Sequence, residues 1–203
     1  MGRPREHDDS TADRLLAAAA AMLDEGVDDL SLRVVAERVG TTTRAVYALF
    51  GSKQGLVDAV VARGFGELED RVARVADPSG DALEELVLAA LEIRGYARAR
   101  PALFELMFRH TQDPYWHGTP GVQQASSRSL AVLRARIDAV VTAGLVDRGD
   151  LPDLVWCVRG LCEGLGGLEV AGVPDGGPGA GVWRTGVTAL VAGLHPAGRE
   201  RPV

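Results

Sequence analysis

The sequence has one lysine, Lys53, among its 22 basic residues, two cysteines and an aromatic content of only 5%. Cys157 and Cys162 stand five apart in a segment that reads as helical, so they point in different directions and match no metal or redox spacing. They imply a reducing compartment. No charge-free apolar run reaches the roughly 18–20 residues that span a bilayer, and no charged-then-apolar leader opens the chain, so the expectation is a soluble, cytoplasmic protein with no membrane partner. A phosphate-cradling glycine loop is also missing, because the glycines at 164, 166 and 167 follow a helical run and not a strand. His110, Asp113 and His117 fall in a Pro- and Gly-bearing loop without regular ligand spacing, so neither a metal nor a cofactor is expected. Glu84 with Glu85 and Asp28 with Asp29 are adjacent pairs, which is not the arrangement of an acid–base couple across a cleft. Ser126 and Ser127 lie in a helix with no evident base or oxyanion turn. An enzyme is therefore not expected.

Positive charge is in short supply as well. The formal net charge is −6 and the pI about 5.2, which argues against a chain that coats nucleic acid over its whole surface. Residues 1–53 hold seven basic side chains (Arg3, Arg5, Arg14, Arg33, Arg38, Arg44 and Lys53) against nine acidic ones, a balance of −2. Any contact with DNA must depend on where individual charges sit. The 46% hydrophobic content of a 203-residue chain is enough for a substantial core.

The apolar residues recur at helical spacing, and no strand alternation competes with them. After a polar arm, residues 1–9, an Ala- and Leu-rich stretch from Ser10 or Thr11 to about Glu25 reads as a first helix stopped by Gly26. Ser31 is placed to cap LRVVAERV, in which Leu32, Val35, Ala36 and Val39 share a face; Gly40 ends it. Only Gly40, Thr41 and Thr42 separate it from TRAVYALF, which closes at Gly51. Ser52 then caps a long helix from Lys53 to about Ala76, stopped by Asp77-Pro78-Ser79-Gly80. Further helices are expected at about 81–99, 101–110, 122–146, 152–171 and 181–194, with loops at 111–121 and 173–181. The expected fold is all-α: an N-terminal three-helix domain over 10–56, a helical bundle over 57–195, and a tail from 196.

Helix, tight glycine turn and helix form a helix-turn-helix. Such a unit works because its second helix lies in the major groove and offers small polar or basic side chains near its N-terminus to base edges. Thr42, Thr43 and Arg44 fill that role here. Free N–H groups and the positive end of the helix dipole favour a nearby phosphate. Val46 and Phe50 are expected to pack inward against Val35, Ala36 and Val39. Tyr47 then faces out, where its phenol can donate to a phosphate oxygen. Lys53 and Arg33 are further candidates for phosphate contact.

The run SLRVVAERVGTTTRAVYALFGSKQGL resembles the signature of TetR-family regulators: a helix-two alanine, a glycine turn, a tyrosine and phenylalanine three apart, then a lysine and leucine opening the fourth helix. These correspond to Ala36, Gly40, Tyr47, Phe50, Lys53 and Leu56. The resemblance implies a homodimeric, mostly helical repressor that binds a palindromic double-stranded operator and releases it when a small-molecule effector enters the second domain. Many relatives have a polar residue or histidine where Ala48 and Leu49 stand, which removes two backbone contacts. Arg3 and Arg5 resemble basic extensions that enter the minor groove.

In the second half, Tyr96, Phe104, Met107 and Phe108 fall on consecutive helices, with Tyr115 and Trp116 in the loop after them. This cluster fits a ligand pocket completed by Trp156 and by polar groups such as His110, Arg159 or Glu163, and it fits an ordinary core equally well. In the family the last two long helices pair with their symmetry mates as a four-helix interface, here about 152–171 and 181–194. Gly160, Gly164, Gly166 and Gly167 would allow close backbone approach to a partner or a ligand. The competing reading is an all-helical binding protein or enzyme whose N-terminal bundle is purely structural.

Overall fold

The computed structural model describes residues 5–26, 30–112, 119–172 and 177–194, apart from the side chains of 5–9 and 109–112. Among them are nine α-helices, one 3₁₀ turn at Arg148–Asp150 and no strand. Helix α1 (Arg5–Asp24) begins earlier than the expected Ser10 or Thr11. Residues 5–24 contain no Pro or Gly, so once the helix is nucleated by its apolar face nothing halts it before Arg5. Leu15, Ala19, Ala20 and Met22 bury that face.

Helices α2 (Leu32–Val39) and α3 (Thr43–Phe50) follow, and α4 (Lys53–Ala73) leaves the corner as a long connecting rod. Its near end buries Leu56 and Val60 beneath α1 and α3; its far end carries Leu68 and Val72 into the second half of the molecule. The rod stops at Ala73, three residues before the expected Ala76, and there the Arg136 guanidinium donates to the carbonyls of Ala73 and Val75 at 3.0 and 2.8 Å. A cation on the last exposed carbonyls satisfies acceptors that the helix itself leaves open.

Asp77 folds the next turn, its carboxylate accepting the N–H groups of Ser79 and Asp81 at 3.1 Å each. Asp81 then caps α5 (Ala82–Ala99) by accepting from Leu83 and Glu84. Helix α6 (Pro101–Gln112) starts on a proline, which needs no amide donor in a first turn. The last three helices are α7 (Pro120–Thr142), α8 (Leu151–Val170) and α9 (Ala180–Gly193). Helices α4 and α7 make the most extensive pairing, and α5 packs on α7, α8 and α9. The fully buried Trp183 of α9 belongs to the same continuous apolar core. No helix among the described residues is long and apolar enough to cross a membrane.

The candidate nucleic-acid interface and the cavities behind it

The α2–α3 turn depends on Gly40, which adopts φ 72° and ψ 34°, a left-handed conformation that side chains strain to reach. Its N–H and that of Thr41 return to the carbonyls of Glu37 and Ala36 at 3.1 and 2.9 Å, closing the end of α2. Arg14 of α1 adds a donor to the Val39 carbonyl, at 2.5 Å. Across the turn, the Thr42 hydroxyl accepts the Ala45 N–H at 3.2 Å and caps α3. Val46 is completely buried and packs α3 into the core, while Phe50 is half-buried at its edge.

With Val46 fixed inward, the helical period turns Arg44, Tyr47 and Ala48 outward together. Tyr47 is 52% exposed. Thr42 is exposed at the mouth of the turn and Thr43 half-buried beside it. Arg44 has no ion-pair partner among the described residues. The other arginines nearby are engaged: Arg33 pairs with Glu37 one turn on, at 2.8 Å, and Arg38 makes a twofold bond to Glu25, at 2.8 and 2.6 Å. Arg33 and Glu37 are both exposed, so their pair competes only weakly with a phosphate. The bond from Arg38 holds the Glu25 carboxyl below its usual range.

Ser52 caps α4 by accepting the Gly55 N–H at 2.9 Å, and the exposed Lys53 opens that helix. Gly55 controls this corner. A Cβ at Gly55 would stand 2.0 Å from the Phe50 carbonyl oxygen, so only glycine lets α4 start this close to the end of α3. No sequence signal short of the turn pattern itself singles it out. Of the two arm residues, Arg3 lies outside the described residues, and so does the side chain of Arg5.

Behind the three-helix unit lie two neighbouring cavities. The inner one, of about 50 Å³, is walled by Leu68 and Val72 of α4, Ile93 of α5, Phe108 of α6, and Leu130 and Leu133 of α7. Ser126, Ser129, Arg159, Cys162 and Glu163 complete it. Burial pushes the Cys162 thiol up to about 12, so it is a neutral wall group. The outer cavity, of about 300 Å³, shares Phe108 and Glu163 with the inner one and adds Phe104, Glu105, Gly167, Val170 and Ala171. A Cβ at Gly166 would come within 2.4 Å of the Phe104 ring, so that glycine makes room for the ring.

Of the residues expected on a pocket wall, Phe104, Phe108, Arg159 and Glu163 line these cavities. Tyr96 and Met107 do not, and the expectation for them is corrected. Both are buried in packed core against Gly64 of α4, where an added Cβ would meet the Met107 sulfur at 2.6 Å and the Tyr96 oxygen at 3.2 Å. The Tyr96 hydroxyl donates to Glu67 at 3.4 Å, and burial beside that carboxylate raises its pKa. Trp156 is a second correction: it is 66% exposed, on the outer face of α8, with the Arg159 guanidinium 5.4 Å from its ring centre. Trp116, Tyr115, Asp113 and His117 lie outside the described residues, as does the side chain of His110.

A bundle of this order, with a capped helix-turn-helix at one end and a cavity inside the other, defines a two-part helical regulator architecture. Residues 15–60 match the model of the bacterial regulatory proteins of the tetR family, and residues 86–190, more than half of the chain, match the tetracyclin repressor-like C-terminal domain. The chain belongs to the TetR family, whose members are transcriptional regulators and not enzymes. It is 30% identical over 132 residues to the HTH-type transcriptional regulator Rv1816 of Mycobacterium tuberculosis, an alignment covering 64% of this chain and 54% of that protein. A nucleoid occlusion factor, SlmA, of Vibrio vulnificus is 28% identical over 100 residues, or 48% of this chain and 51% of that one. The chain thus spans about half the length of the curated relatives it matches. Among solved structures, a Rhodococcus sp. RHA1 protein superposes with a TM-score of 0.79 at 25% identity, over 96% of this chain and 100% of that one. A TetR family transcription regulator from Marinobacter aquaeolei VT8 gives 0.69 at 20% identity, over 95% and 99%, and shows the shared fold.

Proposed function

We propose that this chain is a sequence-specific DNA-binding transcriptional regulator, a ligand-responsive repressor that works in the cytoplasm as a homodimer on a palindromic operator. The observation that carries the reading is the outward face of α3. Arg44 and Tyr47 stand on that face one turn apart, with the half-buried Thr43 at the start of the short capped helix and the exposed Lys53 opening the next one. Thr43 and Arg44 contact base edges, Tyr47 and Lys53 contact phosphates, and Thr42, Arg33 and the arm residues Arg3 and Arg5 supply further contacts.

Homodimer formation is supported by the uncovered faces of α8 and α9. Trp156, Leu168 and Val182 are large apolar side chains left 45–66% exposed. Between and beside them Gly160, Gly164, Gly167 and Gly181 have no neighbour near the place a Cβ would take. Helical glycine costs about 1 kcal/mol relative to alanine. Such glycines offset nothing inside this subunit, whereas a second copy packed on the same face would use the close approach they permit.

The test titrates purified protein into labelled DNA from upstream of its own gene, with excess nonspecific competitor, at two salt concentrations. A discrete complex that survives competitor and weakens with salt is expected. The absence of any competitor-resistant, salt-sensitive complex would count against the reading.

A further inference from the structure

We infer that the groove between the end of α4 and the middle of α5 is a ligand site for a small polar dianion of the phosphate class, a phosphate monoester or the free ion. It shares no residue with the two cavities inside the bundle and depends on neither the operator reading nor an effector held in them.

The groove encloses about 320 Å³ and is lined by Arg71, Arg74 and Val75, from α4 and the chain just beyond it, and by Glu92 of α5. That volume reaches the lower end of the range of ligand pockets, yet Val75 is the one apolar residue of the four. An apolar molecule would gain little there. What the groove offers is charge.

Arg71 and Arg74 stand one turn apart on the same side of the helix. The Arg71 guanidinium lies over the ring of the buried Tyr96, 5.5 Å from its centre, a contact that orients its plane. Gly95 puts no side chain over it: a Cβ placed there would be 4.0 Å from an Arg71 nitrogen. Arg74 is exposed and has no ion-pair partner among the described residues.

Three carboxylates stand close enough along the chain or in space to compete for these cations. Asp70, one turn before Arg74, makes no ion pair with it, and the Asp77 carboxylate is taken up by the N–H groups of Ser79 and Asp81. Glu92 faces Arg71 at 3.7 Å, beyond hydrogen-bonding distance, and is 47% exposed, so their attraction is weak and screened. A phosphate accepting from both guanidinium groups would replace that long contact with short charge-assisted bonds and release Glu92 to solvent. A monocarboxylate brings a single charge and a single pair of oxygens to two arginines.

The experiment titrates the isotope-labelled full chain, without DNA, with inorganic phosphate, glycerol phosphate and acetate at constant ionic strength. At about pH 8 the phosphates carry close to two charges. The amide signals of Val75 and Gly95 are followed by NMR. Both phosphates are expected to move these signals saturably and to bind about tenfold or more tighter than acetate. Tighter binding of glycerol phosphate names the ester as the occupant, and equal binding names the free ion. Arg71→Gln and Arg74→Gln should each weaken phosphate binding about tenfold, while Glu92→Gln, which removes the competing carboxylate, should strengthen it about twofold or more. Arg44→Ala and Lys53→Ala take cations from the candidate DNA face and should leave it unchanged. No saturable shift, acetate binding as tight as phosphate, or phosphate binding that ignores both groove arginines or is lost in Arg44→Ala would each overturn the proposal. Glu92→Gln keeps both arginines, so weaker binding there overturns it even where an arginine variant fails to fold. Because no DNA is present, each of these results leaves the operator reading untouched.

Discussion

Gly55 and Arg38 hold the corners around the candidate DNA-binding helix, Gly55 at the α3–α4 junction and Arg38 between α2 and Glu25. The Gly55 α-carbon lies where a side chain would meet the Phe50 carbonyl, and a backbone oxygen cannot swing aside as a side-chain end can. Gly55→Ala should therefore lower the unfolding free energy by about 2 kcal/mol or more, measured by denaturant unfolding; an effect below about 0.5 kcal/mol would mean the corner relaxes freely. Glu25 offers a pH test. Its folded pKa is depressed by the Arg38 bond, so its contribution is present above the ordinary carboxylate value and is lost as pH falls through the folded value. A side-chain carbon titration should place its midpoint below 4.5 and Arg38→Gln should raise it; a midpoint at or above 4.5 in the unaltered protein contradicts the bond. Asp24 has the opposite sign. Burial outweighs the attraction of Arg100, so its carboxyl is raised, its ionised form works against folding, and that penalty fades as pH falls through the folded value. The cap that Ser52 forms was legible in the sequence because capping is local chemistry, whereas Ser31, expected to cap α2 on the same ground, makes no side-chain cap bond. Gly55 was not legible, because a close approach between two helices is a tertiary fact.

At the level of elements, boundaries were readable wherever a breaker marks them. Gly40, Gly51, Pro101 and the Asp77–Gly80 turn each punctuate a helix, and α2 through α6 begin within a residue or two of the expected places. The start of α1 was not readable, since Arg5–Asp9 carries no breaker. The wall of the cavity was only half legible: Met107 and Phe108 are neighbours on α6, yet the helical period turns one into packed core and the other into the cavity. Periodicity identifies a buried face and does not say whether what it faces is filled. Placing a charge on the uncovered seam of α8, as in Gly160→Glu, should convert a dimer to a monomer by light scattering while helicity stays unchanged; a monomer in the unaltered protein at micromolar concentration would contradict the interface.

Across the whole molecule, α4 is the one element with a side chain in each relevant place. Lys53 opens it at the candidate DNA face, Leu56 and Val60 hold it under the helix-turn-helix, and Leu68 and Val72 wall the inner cavity. Midway, Glu67 accepts from Arg100 at 3.1 Å and from Arg63 at 3.3 Å. Arg100 Nε also stands 2.7 Å from the Asp24 carboxylate, although its N–H is not aligned on that oxygen. An occupant that shifts the far end of α4 must therefore carry α1 with it or break this network. The overall arrangement was legible because its signature is concentrated in residues 31–56, where spacing and residue type act together. The reach of the network was not, since Asp24, Glu67 and Arg100 are distant in the chain.

In the proposed mode of binding, the N-terminal half of α3 reads bases while its flanks grip phosphates. It is tested most directly by measuring the affinity of the unaltered protein, Arg44→Ala and Lys53→Ala for a bound upstream fragment and for single-base-pair variants of it. Arg44→Ala should cost about 1–3 kcal/mol and flatten discrimination at particular base pairs. Lys53→Ala should weaken every sequence alike and reduce the salt slope by about one. Losses from Arg44→Ala that are uniform across all the variants, and indistinguishable from those of Lys53→Ala, would contradict base readout by this helix.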